Sequence, residues 1–269
     1  MIPLEDNFND VIGKAQRGLK LSDEQLAEKA GVTVADVARA KAGEFDEATV
    51  GKMAPVLSLG VKQLIALGKK AWHPREVGNL DGLQMFTTTY GDMTVNSFLV
   101  WDPRSKAAAI FDTGADASDM IKAAKDNGLK IELILLTHTH ADHIADLAKL
   151  KTATGAKAWV GELEAMDGAE SFKAGKKFSL GSLQIETRQT SGHSRGGITY
   201  FITGLTNPVA VVGDSIFASS MGGGGVSYDD AVRNNRTQIL TLPDNTIICP
   251  GHGPMTTVGE EKVNNPFFT

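Results

Sequence analysis

Seven consecutive residues, Thr137-His138-Thr139-His140-Ala141-Asp142-His143, constrain this chain more than any other feature. They follow Ile131-Glu132-Leu133-Ile134-Leu135-Leu136, a short, mostly apolar run that reads as a buried strand. Beyond them Ile144, Leu147, Leu150 and Lys151 continue at helical spacing, so the cluster sits where a strand hands over to a helix. His138 and His140 are two apart, and in extended backbone such side chains point to the same side. Asp142 and His143 then open the helix. Three imidazoles and a carboxylate converging in one place suit zinc, or else iron or manganese. Without chemistry, Asp142 would be a helix cap and the histidines surface polarity, but a cluster this dense rarely lacks chemistry.

Composition sets outer limits. A chain of 269 residues is long enough for one large domain or two unequal ones, and 42% hydrophobic residues support a sizeable core. The net charge of −5 predicts no global attraction to nucleic acid or anionic membrane. The single cysteine, Cys249, excludes an internal disulfide and fits a reducing compartment. The start Met1-Ile2-Pro3-Leu4-Glu5-Asp6 has no basic stretch leading into an apolar one, so no signal peptide is expected. No apolar run approaches the roughly 20 residues of a membrane span. The expectation is a soluble cytoplasmic protein.

Four further motifs accompany the histidine cluster in sequence order: Asp112-Thr113-Gly114, Ser191-Gly192-His193-Ser194, Val212-Gly213-Asp214-Ser215 and Pro250-Gly251-His252-Gly253-Pro254. Together with the cluster they resemble the metal-binding signature of the metallo-β-lactamase-fold hydrolases, over about residues 80 to 269. The ending Pro-Gly-His-Gly-Pro-Met-Thr-Thr-Val-Gly-Glu-Glu is most similar to the glyoxalase II-like group. The resemblance implies an α/β fold, an αββα sandwich. It also implies two divalent ions, zinc with iron or manganese as alternatives. His138, His140 and His193 would hold one ion, Asp142, His143 and His252 the other, and Asp214 would bridge. Each assignment is chemically sound, because imidazoles and carboxylates are the ligands such ions take at about 2.0–2.2 Å. Asp142 would also orient a metal-bridging hydroxide and take its proton, making it the catalytic residue. Asp112 would sit behind the ligands and fix a histidine tautomer. Some metallo-β-lactamases carry a cysteine ligand where this chain has Asp214, so β-lactamase activity of that type is not expected.

Residues 1–72 read as all helix and as a domain apart from residues 73–269. Phe8, Val11, Ile12 and Ala15 fall on one helical face, Ser22 and Gln25 form a capping-box pattern, and Gly31 and Gly43 are stop signals. Helices are expected over residues 47–59 and 61–69 as well. Leu26-Ala27-Glu28-Lys29-Ala30-Gly31-Val32 resembles the first helix and turn of Cro/repressor-type helix-turn-helix domains. The next helix departs from that family: Thr33-Val34-Ala35-Asp36-Val37-Ala38-Arg39-Ala40 offers only Arg39 to a base edge. Residues 1–72 also balance ten Lys/Arg against ten Asp/Glu, whereas DNA readers are clearly basic. A structural or dimerising helical domain is therefore expected, with DNA not a partner and a homodimer through these helices as a partner expectation. Residues 73–82 read as a connector, with His73 as a surface residue.

From Leu83 the texture changes to strands, expected at 83–90, 94–101, 106–111, 157–160, 177–180, 183–189, 198–203, 209–212 and 246–249. Helices are expected at 117–127 and 228–242. Arg195, Asn96, Tyr90 and Tyr228 are candidate substrate contacts. Met221-Gly222-Gly223-Gly224-Gly225-Val226 stands where glyoxalase II-like chains often carry an arginine and an acidic residue; it reads as a mobile loop over the pocket. Cys249 reads as a buried strand thiol.

These observations point to a dinuclear metallohydrolase cleaving a thioester or ester of a small substrate. Two alternatives stand beside it. One is a mononuclear-iron persulfide dioxygenase on the same fold; the other is a DNA-binding regulator with a metal-dependent sensor domain. Glyoxalase II proper has a helical domain after its metal domain, and only seventeen residues follow His252 here. Poor turnover of lactoylglutathione is therefore expected.

Overall fold

The computed structural model describes residues 2–78 and 80–269. Within the connector, Asn79 lies outside the described residues, as does Met1. Five helices come first: α1 (Phe8–Gly18), α2 (Asp23–Ala30), α3 (Val34–Lys41), α4 (Glu47–Val56) and α5 (Val61–Gly68). Their ends follow the local chemistry. Ser22 accepts from the Gln25 backbone N–H while the Gln25 side chain accepts from the Ser22 N–H, closing a capping box at the start of α2. Gly31 ends that helix in the left-handed conformation, φ 64°. Leu26, Val37, Val50, Met53 and Leu64 are fully buried between the helices.

Among the described residues the remainder builds two six-stranded sheets. The first runs in sequence order: β1 (Leu83–Tyr90), β2 (Met93–Trp101), β3 (Ala107–Phe111), β4 (Lys130–Leu135), β5 (Lys157–Gly161) and β6 (Glu170–Phe172). β1, β2 and β3 pair antiparallel, whereas β3 through β6 are parallel. Helix α6 (Ser118–Asp126) makes the crossover from β3 to β4, and α7 (Ala141–Ile144) and α8 (Leu147–Thr154) that from β4 to β5. The second sheet is ordered β14-β13-β10-β9-β8-β7, with β7 (Lys177–Leu180), β8 (Leu183–Gln189), β9 (Ile198–Thr203), β10 (Val209–Gly213), β13 (Ile247–Pro250) and β14 (Thr256–Thr257). A small ribbon pairs β11 (Ile216–Phe217) with β12 (Ser220–Met221).

Alternation along the strands divides the core into layers. Phe98, Val100, Phe111, Tyr200, Ile202 and Val211 pack between the two sheets. Ile110 and Ile134 face the other way, onto Met120 of α6 and Leu150 of α8. Ala210, Val212 and Ile248 meet Ile239 and Val258 on the far side of the second sheet. The order helix, sheet, sheet, helix is that of an αββα sandwich.

Several expectations need correction. The helix expected over 228–242 is α9 (Tyr228–Asn234) followed by a π-helical turn, Asn235–Ile239. There the buried Asn235 amide donates to the Ser215 carbonyl, and π turns are mostly single-turn features of this kind. A last helix, α10 (Val258–Asn264), was not expected, although Thr257 and Glu260 spell a cap: the Thr257 hydroxyl accepts from the Glu260 N–H. His73 is half-buried rather than a free surface residue, one ring nitrogen 2.8 Å from the Ile2 carbonyl. The helical segment also shares its core with the sandwich. Met221, Ala231 and Phe267 join Phe8, Ile12 and Leu57 in one apolar cluster, and the Gly60 N–H donates to Pro266 O at 2.7 Å. No helix among the described residues is long and apolar enough to cross a membrane.

Candidate metal centre

Ends of five strands, from both sheets, deliver the histidines and acids to one edge of the sandwich. β3 leads into Asp112, β4 into His138, His140 and the helix carrying Asp142 and His143, β8 toward His193, β10 into Asp214, and β13 into His252. One set of donor atoms comes from His138, His140, His193 and Asp214, and a second from Asp142, His143 and His252. Within each set all donor atoms lie within 4.8 Å of one another. His140 Nδ1 is 3.0 Å from Nε2 of both His138 and His193. Asp214 Oδ2 is 3.3 Å from Nε2 of His193 and equally 3.3 Å from Nε2 of His252, so one carboxylate oxygen faces both sets. Asp142 Oδ2 lies 3.4 Å from His252 Nε2 and 3.5 Å from His143 Nε2.

Those spacings fit metal ligation. Ligands about 2.0–2.1 Å from a tetrahedral ion are separated by roughly 3.3 Å. His143 Nε2 and Asp214 Oδ1 are also 3.3 Å apart and fully buried, yet neither has a hydrogen-bond partner. Buried polar atoms are rarely left so, and an ion held between them would satisfy both. The outward nitrogens of four rings complete the case. Nδ1 of His143 meets Asp112 Oδ2 at 2.8 Å, Nδ1 of His193 the Gly223 carbonyl at 3.1 Å, Nδ1 of His252 the Thr94 carbonyl at 2.6 Å, and Nδ1 of His138 the Thr137 hydroxyl at 3.0 Å. A carboxylate or carbonyl there can only accept, so in His143, His193 and His252 Nδ1 carries a proton and Nε2 is the nitrogen that faces the site.

Asp112 organises two of these rings. Besides His143 it accepts from the Thr137 hydroxyl and the Thr137 N–H, both at 2.7 Å. It does so from a left-handed backbone, φ 56°, which few non-glycine residues adopt. Gly251 allows the final approach: a Cβ there would lie 2.1 Å from Asp214 Oδ1.

Electrostatics follow the same geometry. Burial disfavours a charged ring, and it takes His138 well below its ordinary value. At His143 burial is outweighed by Asp214 and Asp112, which raise the ring to about 10. At His252 burial is outweighed by Asp142 and Asp214, which raise it to about 11. Burial opposes the charge on Asp214 too, but His143, His252 and His138 hold it well below the usual carboxylate range. The facing carboxylates thus favour protons on His143 and His252 in the metal-free site.

The substrate candidates separate. Arg195 is exposed and lines a groove of about 380 Å³ with Thr139, His140, Leu163, Ser194 and Val226. Asn96 does not face that space. It is buried, its amide donating to the carbonyls of Pro250 and Gly253 while its oxygen accepts from Thr87, so it positions the His252 loop and has no donor left for a substrate. Tyr228 lays its ring on Gly18 of α1 and joins the apolar cluster of the N-terminal helices. Tyr90 stands half-exposed at the β1–β2 turn. The glycine run is no free loop, since the Gly223 carbonyl holds His193. Cys249 lies buried in β13, and burial pushes its thiol up.

Glu164 escaped sequence reading. Nearly buried on a 3₁₀ turn, it accepts from the Thr139 hydroxyl and N–H and from the Gly196 N–H, tying the loop of His138 and His140 to that of His193. Nothing near it in sequence signals that role.

Known proteins share this fold. The model of the metallo-beta-lactamase superfamily matches residues 90–252. Hydroxyacylglutathione hydrolase GloC of Haemophilus influenzae is 30% identical over 198 residues, which cover 64% of this chain and 92% of that protein. A probable metallo-hydrolase of Streptococcus pyogenes is 29% identical over 191 residues, 61% of this chain and 82% of that protein. Among solved structures, BLEG-1 B3 metallo-beta-lactamase superposes with a TM-score of 0.60 at 26% identity, covering 69% of this chain and all of that one. ETHE1 from Myxococcus xanthus gives 0.60 at 22% identity, over 68% and 83%, a likeness of fold. With a family match across well over half its length, and with five histidines and two aspartates gathered at one edge of the sandwich, this chain belongs to the metallo-beta-lactamase superfamily.

Proposed function

We propose that the protein is a glyoxalase II-like hydrolase that cleaves a thioester or ester bond of a small substrate. The observation that carries the reading is the pair of donor sets sharing Asp214 Oδ2, which suits two neighbouring divalent ions, zinc before iron or manganese. Such a pair supplies an activated water and polarises the carbonyl under attack. In this reading His138, His140 and His193 would hold one ion, Asp142, His143 and His252 the other, and Asp214, whose carboxylate faces both sets, would serve both. Asp142 would accept the proton of the attacking water at its carboxylate, and Asp112 would keep His143 in the ligating tautomer. Arg195, with no ion pair among the described residues, binds an anionic part of the substrate beside His140.

GloC bears on the substrate. The match covers 92% of that hydroxyacylglutathione hydrolase, so a glutathione thioester, lactoylglutathione, belongs in the first panel. Residues 1–72 are read as a helical unit serving the sandwich of residues 73–269 in a cytoplasmic enzyme. On α3 Arg39 is paired with Asp36, which leaves it poorly disposed toward DNA.

Elemental analysis of protein purified without chelator, followed by thioester, lactone and phosphodiester substrates, tests the reading. Close to two equivalents of metal and thioester turnover are expected. One tightly bound iron with the second set empty would favour the persulfide dioxygenase. No metal would overturn both.

A further inference from the structure

We propose that Lys14, on α1 of the N-terminal helices, is a positioning residue for the metal centre. It holds the Ser220–Gly223 segment, whose Gly223 carbonyl orients His193. The proposal rests on the reading of His193 as a ligand.

Lys14 reaches out of the helical bundle into the sandwich. Its ammonium donates to the Met221 carbonyl at 2.9 Å and forms an ion pair with Asp6, their side chains only 14% and 8% exposed. The same Asp6 carboxylate accepts from the Ser220 hydroxyl. Two consecutive residues of β12 are thus gripped by two residues of the N-terminal segment. Two residues beyond Met221, the Gly223 carbonyl accepts from His193 Nδ1 and so fixes which nitrogen faces the site. Between them Gly222 presses on Asp214: a Cβ there would lie 1.8 Å from the Asp214 carbonyl oxygen.

A run of four glycines has little stiffness of its own. Holding a hydrogen-bond acceptor at a ligand requires that something outside the run fix its start; Lys14 and Asp6 do this at Met221 and Ser220, together with the β11–β12 pairing and the Asn265 amide on the Ser220 carbonyl. The ammonium also lies 5.2 Å from the centre of the Phe217 ring, which stands perpendicular to the His252 ring at 5.7 Å. One cation therefore touches the supports of a histidine from each donor set. Adhesion of the helices does not depend on it: Gly60 bonds Pro266, Gln63 bonds the Val263 carbonyl, and the Tyr228 ring rests on Gly18. Lys14 is free to act on the site because other contacts hold the two parts together.

The test is Zn²⁺ binding by apoprotein in competition with a chromogenic chelator, comparing Lys14→Met, Lys14→Arg and His193→Ala with the parent. Losing a group that orients a ligand costs about 10- to 100-fold in affinity. Lys14→Met is expected to weaken the site containing His193 by about tenfold, while Lys14→Arg stays within about threefold. Imidazole NMR should show loss of the protected His193 Nδ1–H in Lys14→Met, a change that mere loosening of the helices would not produce. If Lys14→Met fails to fold because Asp6 is left unpaired, the double variant Asp6→Asn/Lys14→Met removes both charges and should show the same tenfold loss. Zn²⁺ affinity within twofold of the parent, with an unchanged His193 signal, would overturn the proposal. If His193→Ala also binds as the parent does, the ligand reading itself fails; if His193→Ala loses Zn²⁺ and Lys14→Met does not, the positioning role alone fails.

Discussion

Asp112→Asn changes one atom and sets the tautomers of two rings against metal binding. In the parent, Asp112 accepts three hydrogen bonds: from Thr137 N–H, from the Thr137 hydroxyl and from His143 Nδ1. An amide can present its oxygen to only one side. If the oxygen faces Thr137 N–H, the NH₂ confronts His143 Nδ1, so that ring must carry its proton on Nε2, where metal would bind. The Thr137 hydroxyl, no longer able to donate to residue 112, turns toward His138 Nδ1, 3.0 Å away, and pushes that ring the same way. If the amide is reversed, its NH₂ meets the Thr137 N–H, and a buried donor loses its acceptor at about 1–3 kcal/mol. The backbone does not confuse the result, because asparagine tolerates the left-handed conformation at this position at least as well as aspartate. Orienting groups of this kind contribute about 10- to 100-fold in metal affinity, or roughly 1.4–2.8 kcal/mol for each ion. Chelator competition at pH 7.5 reads the loss directly, and thermal unfolding of the apoproteins separates it from general destabilisation. Binding of both ions within twofold of the parent would refute the argument from tautomers.

Other expectations follow from the same geometry. His143 and His252 sit at about 10 and 11 against an ordinary 6.5. Their protons therefore stabilise the metal-free fold fully below about pH 6.5, and that contribution is lost as pH rises through 10 to 11. Metal must displace these protons, so affinity should climb from pH 7 to pH 9, with close to two protons released. Calorimetry in buffers of different ionisation enthalpy measures this, and release of none would contradict it. Asp214→Ala should lose both metal and activity, since its carboxylate faces both donor sets. Asp142→Asn should keep at least one equivalent of metal while turnover falls by roughly 10²-fold or more; full activity would remove Asp142 from its role. Arg195→Ala should raise KM about tenfold for an anionic thioester with kcat little changed, and an equal effect on a neutral thioester would argue against ion pairing.

The clustered histidines and aspartates, their order and the strands that lead to them were legible in the sequence, because each depends on neighbours a few positions away. Two histidines two apart at a strand end, a capping box at Ser22 and Gln25 and a left-handed stop at Gly31 obey rules of short range. The short strands β6, β11, β12 and β14 were not legible, since two or three residues carry no measurable period. The supporting contacts were beyond reach for a different reason. Asn96 looked like a pocket residue and instead pins a loop about 155 positions later; Glu164 ties two ligand loops; the glycine run becomes a histidine support gripped by Lys14 from some 200 residues away. A side chain's composition says which bonds it can make. Which partner comes within 3 Å of it is decided only when the sheets close and the helices dock, and at those distances a donor either finds its acceptor or is left buried without one.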